Sequence, residues 1–271
     1  MNYVVDSRKV KPGQIFVALK GHTVDGHDYI PDAIKNGASK IVAEKEVECS
    51  VPLEIVPNTE DYLKEALKKE YASKINELKI IGITGTNGKT TTAYLTYQLL
   101  NDLGEKAAYI GTIGFKALNE EIETENTTPD ILTIYTLLLH SLEIGCKTVV
   151  MEISSHALSY ERIYGLHIDI AAFTNLTEDH LDYHKTMENY LNAKLKIIEY
   201  MNSNSKLIVN NDDEASKSFV NKFGTGIKLG YNNKKYDYNI IKADINPAET
   251  TIKFTNSNKE YSVTTNLTSK F

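Results

Sequence analysis

Between Ile80 and Thr92 an apolar strand runs through a glycine-containing turn, Thr84-Gly85-Thr86-Asn87-Gly88-Lys89-Thr90-Thr91, into the amphipathic stretch TAYLTYQLLNDLG, and few folds accommodate that succession. Strand, tight loop and helix N-terminus form the setting in which backbone N–H groups close around phosphate oxygens. Gly85 and Gly88 let the backbone approach, Lys89 adds a point charge, and the Thr90 hydroxyl suits Mg²⁺. The spacing is Gly85-x-x-Gly88-Lys89-Thr90, because Ile83 stands where a strict GxxxxGK[ST] loop has its first glycine. A turn whose glycines only serve geometry is the plainer reading, but it leaves the lysine and the helix start unexplained. Residues Gly85, Thr86, Asn87, Gly88, Lys89, Thr90 and Thr91 are therefore expected to bind ATP with Mg²⁺.

The pattern around this loop is an α/β alternation. Strands are expected at 80–84, 106–110, 147–153, 169–174 and 206–210, separated by helices near 89–103, 130–145 and 188–201. Several of the strands are continuous apolar runs, as strands buried on both faces of a parallel sheet require. A P-loop doubly wound, mostly parallel sheet follows. Beyond residue 225 the expected elements are short strands (236–243, 250–255, 260–265), a small antiparallel addition. Ahead of the loop, a strand at Gln14–Leu19, a helix at Ile30–Asn36 and a strand at Ser39–Ala43 form a smaller α/β unit, followed by a helical stretch from Asp61 to Leu78. At 271 residues the chain exceeds the roughly 100 to 200 typical of one domain. Two domains, 1–76 and 77–271, are the expectation.

Composition narrows the function classes. A net charge of -6 disfavours general nucleic-acid binding, which calls for a basic face. No apolar run approaches the roughly 18 residues that span a bilayer, and the opening MNYVVDSRKVKPG lacks a signal-peptide core, so no membrane association and a cytoplasmic location are expected. Cys49 and Cys146 lie far apart without metal-ligand spacing and are expected to be ordinary buried thiols.

Three more segments follow strands, where ligands of open α/β sheets gather. They are Met151-Glu152-Ile153-Ser154-Ser155-His156, Thr174-Asn175-Leu176-Thr177-Glu178-Asp179-His180-Leu181-Asp182-Tyr183-His184, and Tyr190-Leu191-Asn192-Ala193-Lys194. Glu152 closes an apolar strand and either points into a cleft or ends the strand in solvent. Ser154, Ser155 and His156 invite a serine-hydrolase reading, which lacks its G-x-S-x-G elbow. The histidines could equally cap helices, and His is a less usual Mg²⁺ ligand than oxygen. Residue chemistry alone leaves these readings open.

Taken with DSRKVKPGQIFVALKGHTVDGHDYIPDAIKNGA, Asn126-Thr127-Thr128-Pro129, MEISSHALSYERI and TNLTEDHLDYHKTMENYLNAK, the chain resembles the Mur ligase family over nearly its whole length, the MurE branch most closely and MurF as the sister alternative. The resemblance implies an N-terminal UDP-muramyl-binding domain in which Ser7 and the turn His22, Thr23, Val24 hold the uridine diphosphate. It further implies that Asn126, Thr127, Thr128, Ser154 and Arg162 hold the muramyl dipeptide. Hydroxyls and a guanidinium suit such anionic groups. Lys89, Glu152, His180 and Lys194 correspond to catalytic positions. Thr90, Glu152, His180 and Lys194 correspond to the Mg²⁺ set, with Lys194 as N6-carboxylysine. Tyr160 departs from the family, which commonly carries glutamine there.

The implied reaction joins a diamino acid, meso-diaminopimelate or L-lysine, to UDP-MurNAc-L-Ala-D-Glu through an acyl phosphate in peptidoglycan synthesis, by a monomer. The resemblance also leads us to expect a third, C-terminal domain in the family, so a truncated ligase or a non-catalytic UDP-muramyl and ATP-binding fragment is expected. A P-loop NTPase with an unrelated partner is the remaining class, and indifference to UDP-muramyl peptide would mark it.

Overall fold

The computed structural model describes residues 1–21, 24–257 and 259–267; His22 and Thr23, expected at the uridine diphosphate end, lie outside them. The chain divides into two compact units. One comprises residues 1–76, 130–140 and 164–166, and the other 77–129, 141–163 and the chain from 167 onward.

In the first unit, β1 (Tyr3–Val4), β2 (Ile15–Val17), β3 (Lys40–Ala43) and β4 (Leu53–Ile55) form a parallel sheet in that order, with α1 (Ile30–Lys35) and α2 (Thr59–Ile75) as its helices. Phe16 and Ile41 are fully buried and share a core with Val4, Ile30, Ala33 and Ala43. Asn58 starts α2 by accepting a hydrogen bond from the Asp61 N–H, and Glu60 and Asp61 complement the helix dipole there. Strands β1 and β4 were not anticipated. At two and three residues they are too short to show a period.

The second unit is built on one mixed sheet. Its elements are β5 (Lys79–Thr84), α3 (Lys89–Asp102), β6 (Ala107–Gly111), β7 (Gly114–Ala117), β8 (Glu120–Ile122), α4 (Ile131–Glu143), β9 (Thr148–Glu152), α5 (Ser155–Ser159), β10 (Ile170–Phe173), α6 (Leu181–His184), α7 (Met187–Leu195), β11 (Lys206–Asn210), α8 (Ser216–Phe223), β12 (Ile227–Tyr231), β13 (Tyr238–Ile245), β14 (Thr250–Asn256) and β15 (Lys259–Thr265). Residues 131–140 of α4 group with the first unit. Among the described residues the strand order is β15-β14-β13-β12-β11-β10-β5-β9-β6-β7-β8. The run from β13 to β6 is parallel, and antiparallel pairs flank it at both ends.

Helices cover the central strands on both sides, which is why those strands read as unbroken apolar runs. Ile81 and Ile83 pack with Ala93 of α3, Tyr109 and Val150. On the opposite face a side chain at Gly82 would meet Ile153, Ile168 and Ile197. The chain places β6 and β9 on one side of β5 and β10 and β11 on the other, so β5 marks the switch point where such sheets open a crevice at their carboxyl ends.

Several expectations are corrected. The single helix at 188–201 is α7 followed by a 3-10 turn, Lys196–Tyr200, in which Ile197 and Ile198 turn inward as β-branched residues that favour packing over helix continuation. The hairpin β7–β8, the short helices α5 and α6, and the pair α8 and β12 were not foreseen. Cys146 is buried as expected, whereas Cys49 is only half-buried and donates its thiol to the Val51 carbonyl at 3.2 Å. Among the described residues no helix is long and apolar enough to cross a membrane.

Candidate functional site

The turn after β5 is shaped by its glycines and held from β10. Gly85 has φ +146°, and a Cβ there would overlap the Thr174 hydroxyl and press on the Asn175 backbone. Gly88, at φ +81°, adopts the left-handed conformation that starts α3. The segment after β10 clamps the turn. Asn175 accepts from the Thr86 N–H through its carbonyl (2.8 Å) and from the Asn87 N–H through Oδ1 (2.9 Å). Thr174 donates its hydroxyl to the Asn87 carbonyl (2.7 Å), and Thr177 donates its N–H to the Thr86 hydroxyl (3.1 Å). Thr91 is exposed on the first turn of α3.

Two lysines converge inside this turn. Lys89 Nζ donates to the carbonyls of Gly85 (3.1 Å) and Thr86 (2.8 Å), and Lys194 Nζ, from the last turn of α7, donates to the same Gly85 carbonyl at 2.7 Å. Lys194 is 1% exposed and its ammonium lies 4.3 Å above the Tyr190 ring. Burial, reinforced by the charge of Lys89 and opposed by Asp179, brings its pKa down to about 7. Burial also lowers Lys89, against the pull of Glu152 and Asp179.

Glu152, at the end of β9, is fully buried and does not end its strand in solvent. Its Oε1 accepts from the Tyr109 hydroxyl and from the Thr112 N–H (2.9 Å); its Oε2 accepts from the hydroxyls of Thr90 (2.7 Å) and Thr112 (3.2 Å). Thr112 in turn shares a hydrogen bond with Thr127 (3.0 Å). Thr128 is buried, gives its hydroxyl to the Glu152 carbonyl (2.8 Å), and accepts from the Ser154 N–H (3.0 Å). Arg162 donates to the Thr128 carbonyl (2.7 Å) and stacks over Tyr160, its guanidinium carbon 5.8 Å from the ring centre. Thr90, Thr127, Thr128, Ser154 and Arg162 thus form one polar wall around Glu152. Asn126 is exposed next to it and accepts from Thr124 through its carbonyl (3.3 Å).

His180 is held by a different set of neighbours. It holds φ 54° at the start of α6, pairs with Asp179 (Nε2 to Oδ2, 3.4 Å) and lies edge-on to His156, ring centres 4.9 Å apart. Burial first, then neighbouring cations, lowers the pKa of His156 and His184. The serine-hydrolase reading fails on access: Ser154 caps α5 through the Ala157 N–H, and Ser155, although 2.9 Å from His184, is buried together with it. Among the described residues no three His, Cys, Asp or Glu side chains are grouped to hold a metal. The hard oxygens of Thr90 and Glu152 nevertheless suit Mg²⁺.

In the first unit, Ser7 is buried with its carbonyl accepting from Asn36 Nδ2 (2.9 Å), and Val24 is half-exposed. Sequence reasoning missed Tyr109 and Thr112, and took Asn175 only as part of the 174–184 segment, with no role of its own. Thr112 and Asn175 follow strand ends, so the rule that singled out Glu152 applies to them equally. Tyr109 lies inside a strand and gave no such signal.

Known proteins match this chain in sequence and fold. The Mur ligase middle domain matches residues 83–271, and the description "Mur ligase family, catalytic domain" matches residues 2–83. The UDP-N-acetylmuramoyl-L-alanyl-D-glutamate--2,6-diaminopimelate ligase of Bacillus cereus is 43% identical over 221 residues, 79% of this chain and 45% of the relative. That of Aquifex aeolicus is 39% identical over 267 residues, 98% of this chain and 55% of the relative. A solved structure of a ligase with the same name superposes with a TM-score of 0.81 at 29% identity, covering 98% of this chain and 55% of that one. The chain spans about half the length of the curated relatives it matches. On the strength of both domain matches, the chain belongs to the Mur ligase family.

Proposed function

We propose that this chain carries the ATP and UDP-muramyl-dipeptide sites of an ATP-dependent ligase, one that couples a diamino acid to the D-glutamyl carboxylate of UDP-MurNAc-L-Ala-D-Glu. The amine would be 2,6-diaminopimelate, after the names of the relatives. The observation that carries this reading is the meeting, at the carboxyl ends of β5 and β9, of a phosphate loop with Lys89 and a Thr90–Glu152 pair linked through Thr112 to Thr127.

In this reading the D-glutamyl carboxylate attacks the γ-phosphorus of ATP, the bond to the β-phosphate oxygen breaks, and ADP leaves. The diamino acid's nitrogen then attacks the acyl phosphate, expels inorganic phosphate and loses a proton to form the amide. No protein nucleophile takes part, so the chain's work is positioning and charge neutralisation. The turn's N–H groups and the N-terminus of α3 receive the phosphates. Lys89 exchanges two neutral carbonyl partners for phosphate oxygens, a stronger charge-assisted contact. Arg162, Thr127, Thr128 and Ser154 orient the muramyl dipeptide, and Ser7 with the 22–24 turn holds its uridine diphosphate. Thr90 and Glu152 would hold Mg²⁺, joined by His180 and a carboxylated Lys194. The ion supplies charge neutralisation at the transferring phosphoryl group. ATP and a nucleotide-linked precursor are cytoplasmic substrates, and the reading is of a cytoplasmic enzyme.

In the full-length ligase, Lys89→Ala is expected to lower ATP turnover by about 10²-fold or more, the scale of losing one charge-stabilising donor. Phosphate release with all three substrates measures it, and turnover equal to the unaltered enzyme rules the loop assignment out.

A further inference from the structure

The two oxygens of Glu152 are held in different ways. Oε1 takes the Tyr109 hydroxyl and the Thr112 backbone N–H, and both donors are fixed. Tyr109 is fully buried, with its ring edge-on to Tyr94 (5.6 Å between centres) and tilted against Tyr97 (6.2 Å). Gly111 completes this cradle, since a Cβ there would overlap both Glu152 Oε1 and the Tyr109 hydroxyl. Oε2 takes only the rotatable hydroxyls of Thr90 and Thr112. Thr112 has a second partner in Thr127, and Thr90 is itself an oxygen ligand in waiting.

We infer that Tyr109 is a positioning residue for the cation: with the Thr112 N–H it occupies Oε1, leaves Glu152 able to bind a metal through Oε2 alone, and so favours Mg²⁺ over Ca²⁺. The inference rests on Glu152 being a magnesium ligand. Its physical basis is that Mg²⁺ requires near-octahedral geometry from single oxygens, whereas the larger Ca²⁺ takes six to eight ligands and readily accepts a carboxylate through both oxygens. A carboxylate with one oxygen saturated by donors meets the first requirement and frustrates the second.

The test compares the affinity of this chain for a non-hydrolysable ATP analogue in Mg²⁺ and in Ca²⁺, by calorimetric titration. The unaltered chain should bind the Mg²⁺ complex more tightly. Tyr109→Phe keeps the ring and frees Oε1, and should narrow the Mg²⁺-to-Ca²⁺ affinity ratio by about tenfold, or about 1.4 kcal/mol. Tyr97→Phe keeps a ring packed against Tyr109 and leaves both donors on Oε1, and should leave that ratio near the unaltered value, which a general loosening of the site would not do. An unchanged ratio in folded Tyr109→Phe overturns the inference, as does an unaltered chain that prefers neither ion. No analogue binding by the unaltered chain in either ion overturns the nucleotide-site reading itself. If Tyr109→Phe fails to fold, infrared difference spectra of the unaltered chain on Mg²⁺ addition decide, with Glu152→Gln assigning the band. A single-oxygen carboxylate signature supports the inference and a two-oxygen signature overturns it.

Discussion

Two ammonium groups on one carbonyl, one of them fully buried, make an unfavourable arrangement unless something changes one of them. Lys89 and Lys194 both donate to Gly85; Glu152 and Asp179 offset the charge of Lys89, and Asp179 that of Lys194. Burial favours the neutral amine at Lys194. A neutral amine can add CO₂ and become a carbamate, which would turn this repulsive pair into an attractive one. Intact-protein mass spectrometry of the chain kept in bicarbonate is expected to show a gain of one CO₂, mapped to Lys194 and lost on acidification. An unmodified, folded chain under those conditions contradicts the assignment. Tyr160 shows how a departure from the family can be accommodated. Where the resemblance led us to expect glutamine, the Tyr160 ring lies under the Arg162 guanidinium and helps to hold it.

At the scale of elements, the strand–turn–helix unit is one device whose parts fail together. Gly85→Ala must put a side chain where the Thr174 hydroxyl lies, at a backbone angle that L-residues avoid. Strain of that kind costs about 1 to 3 kcal/mol. The variant is expected to melt several degrees lower and to lose nucleotide affinity, measured by calorimetry and analogue titration; a variant equal to the parent in both contradicts the role given to the turn. This unit was legible in the sequence because strand, glycine spacing and lysine are all local signals. So were the long parallel strands, whose apolar runs follow from burial on both faces. The hairpin β7–β8 was not legible, since Gly114–Ala117 and Glu120–Ile122 are too short to display alternation. Nor were the partners of Glu152: Tyr109 and Thr112 lie 43 and 40 residues from it, and their roles arise only when β6 and β9 pair. Asn175 met the same limit, because it acts on a turn 88 residues earlier.

For the whole molecule, stability in alkali is expected to be limited by phenols that are wholly or partly buried. The Tyr71 hydroxyl accepts from the Asn2 N–H at 2.9 Å, and burial pushes its pKa from 10.0 up to about 12; burial also raises Tyr3 and Tyr135. The unfolded chain therefore loses these protons first. The contribution of the neutral phenols is complete below pH 10 and is lost as pH rises through 10 toward 12. Thermal melting followed across that range should fall steadily, and Tyr71→Phe should flatten part of the fall; a melting point independent of pH there contradicts it. The central claim concerns ligand rather than stability: the proposal that this chain binds UDP-muramyl dipeptide as well as a nucleotide. Calorimetric titration of the chain with UDP-MurNAc-L-Ala-D-Glu tests it most directly. Saturable binding that weakens in Arg162→Ala is the predicted result, and no binding by demonstrably folded protein would contradict the account.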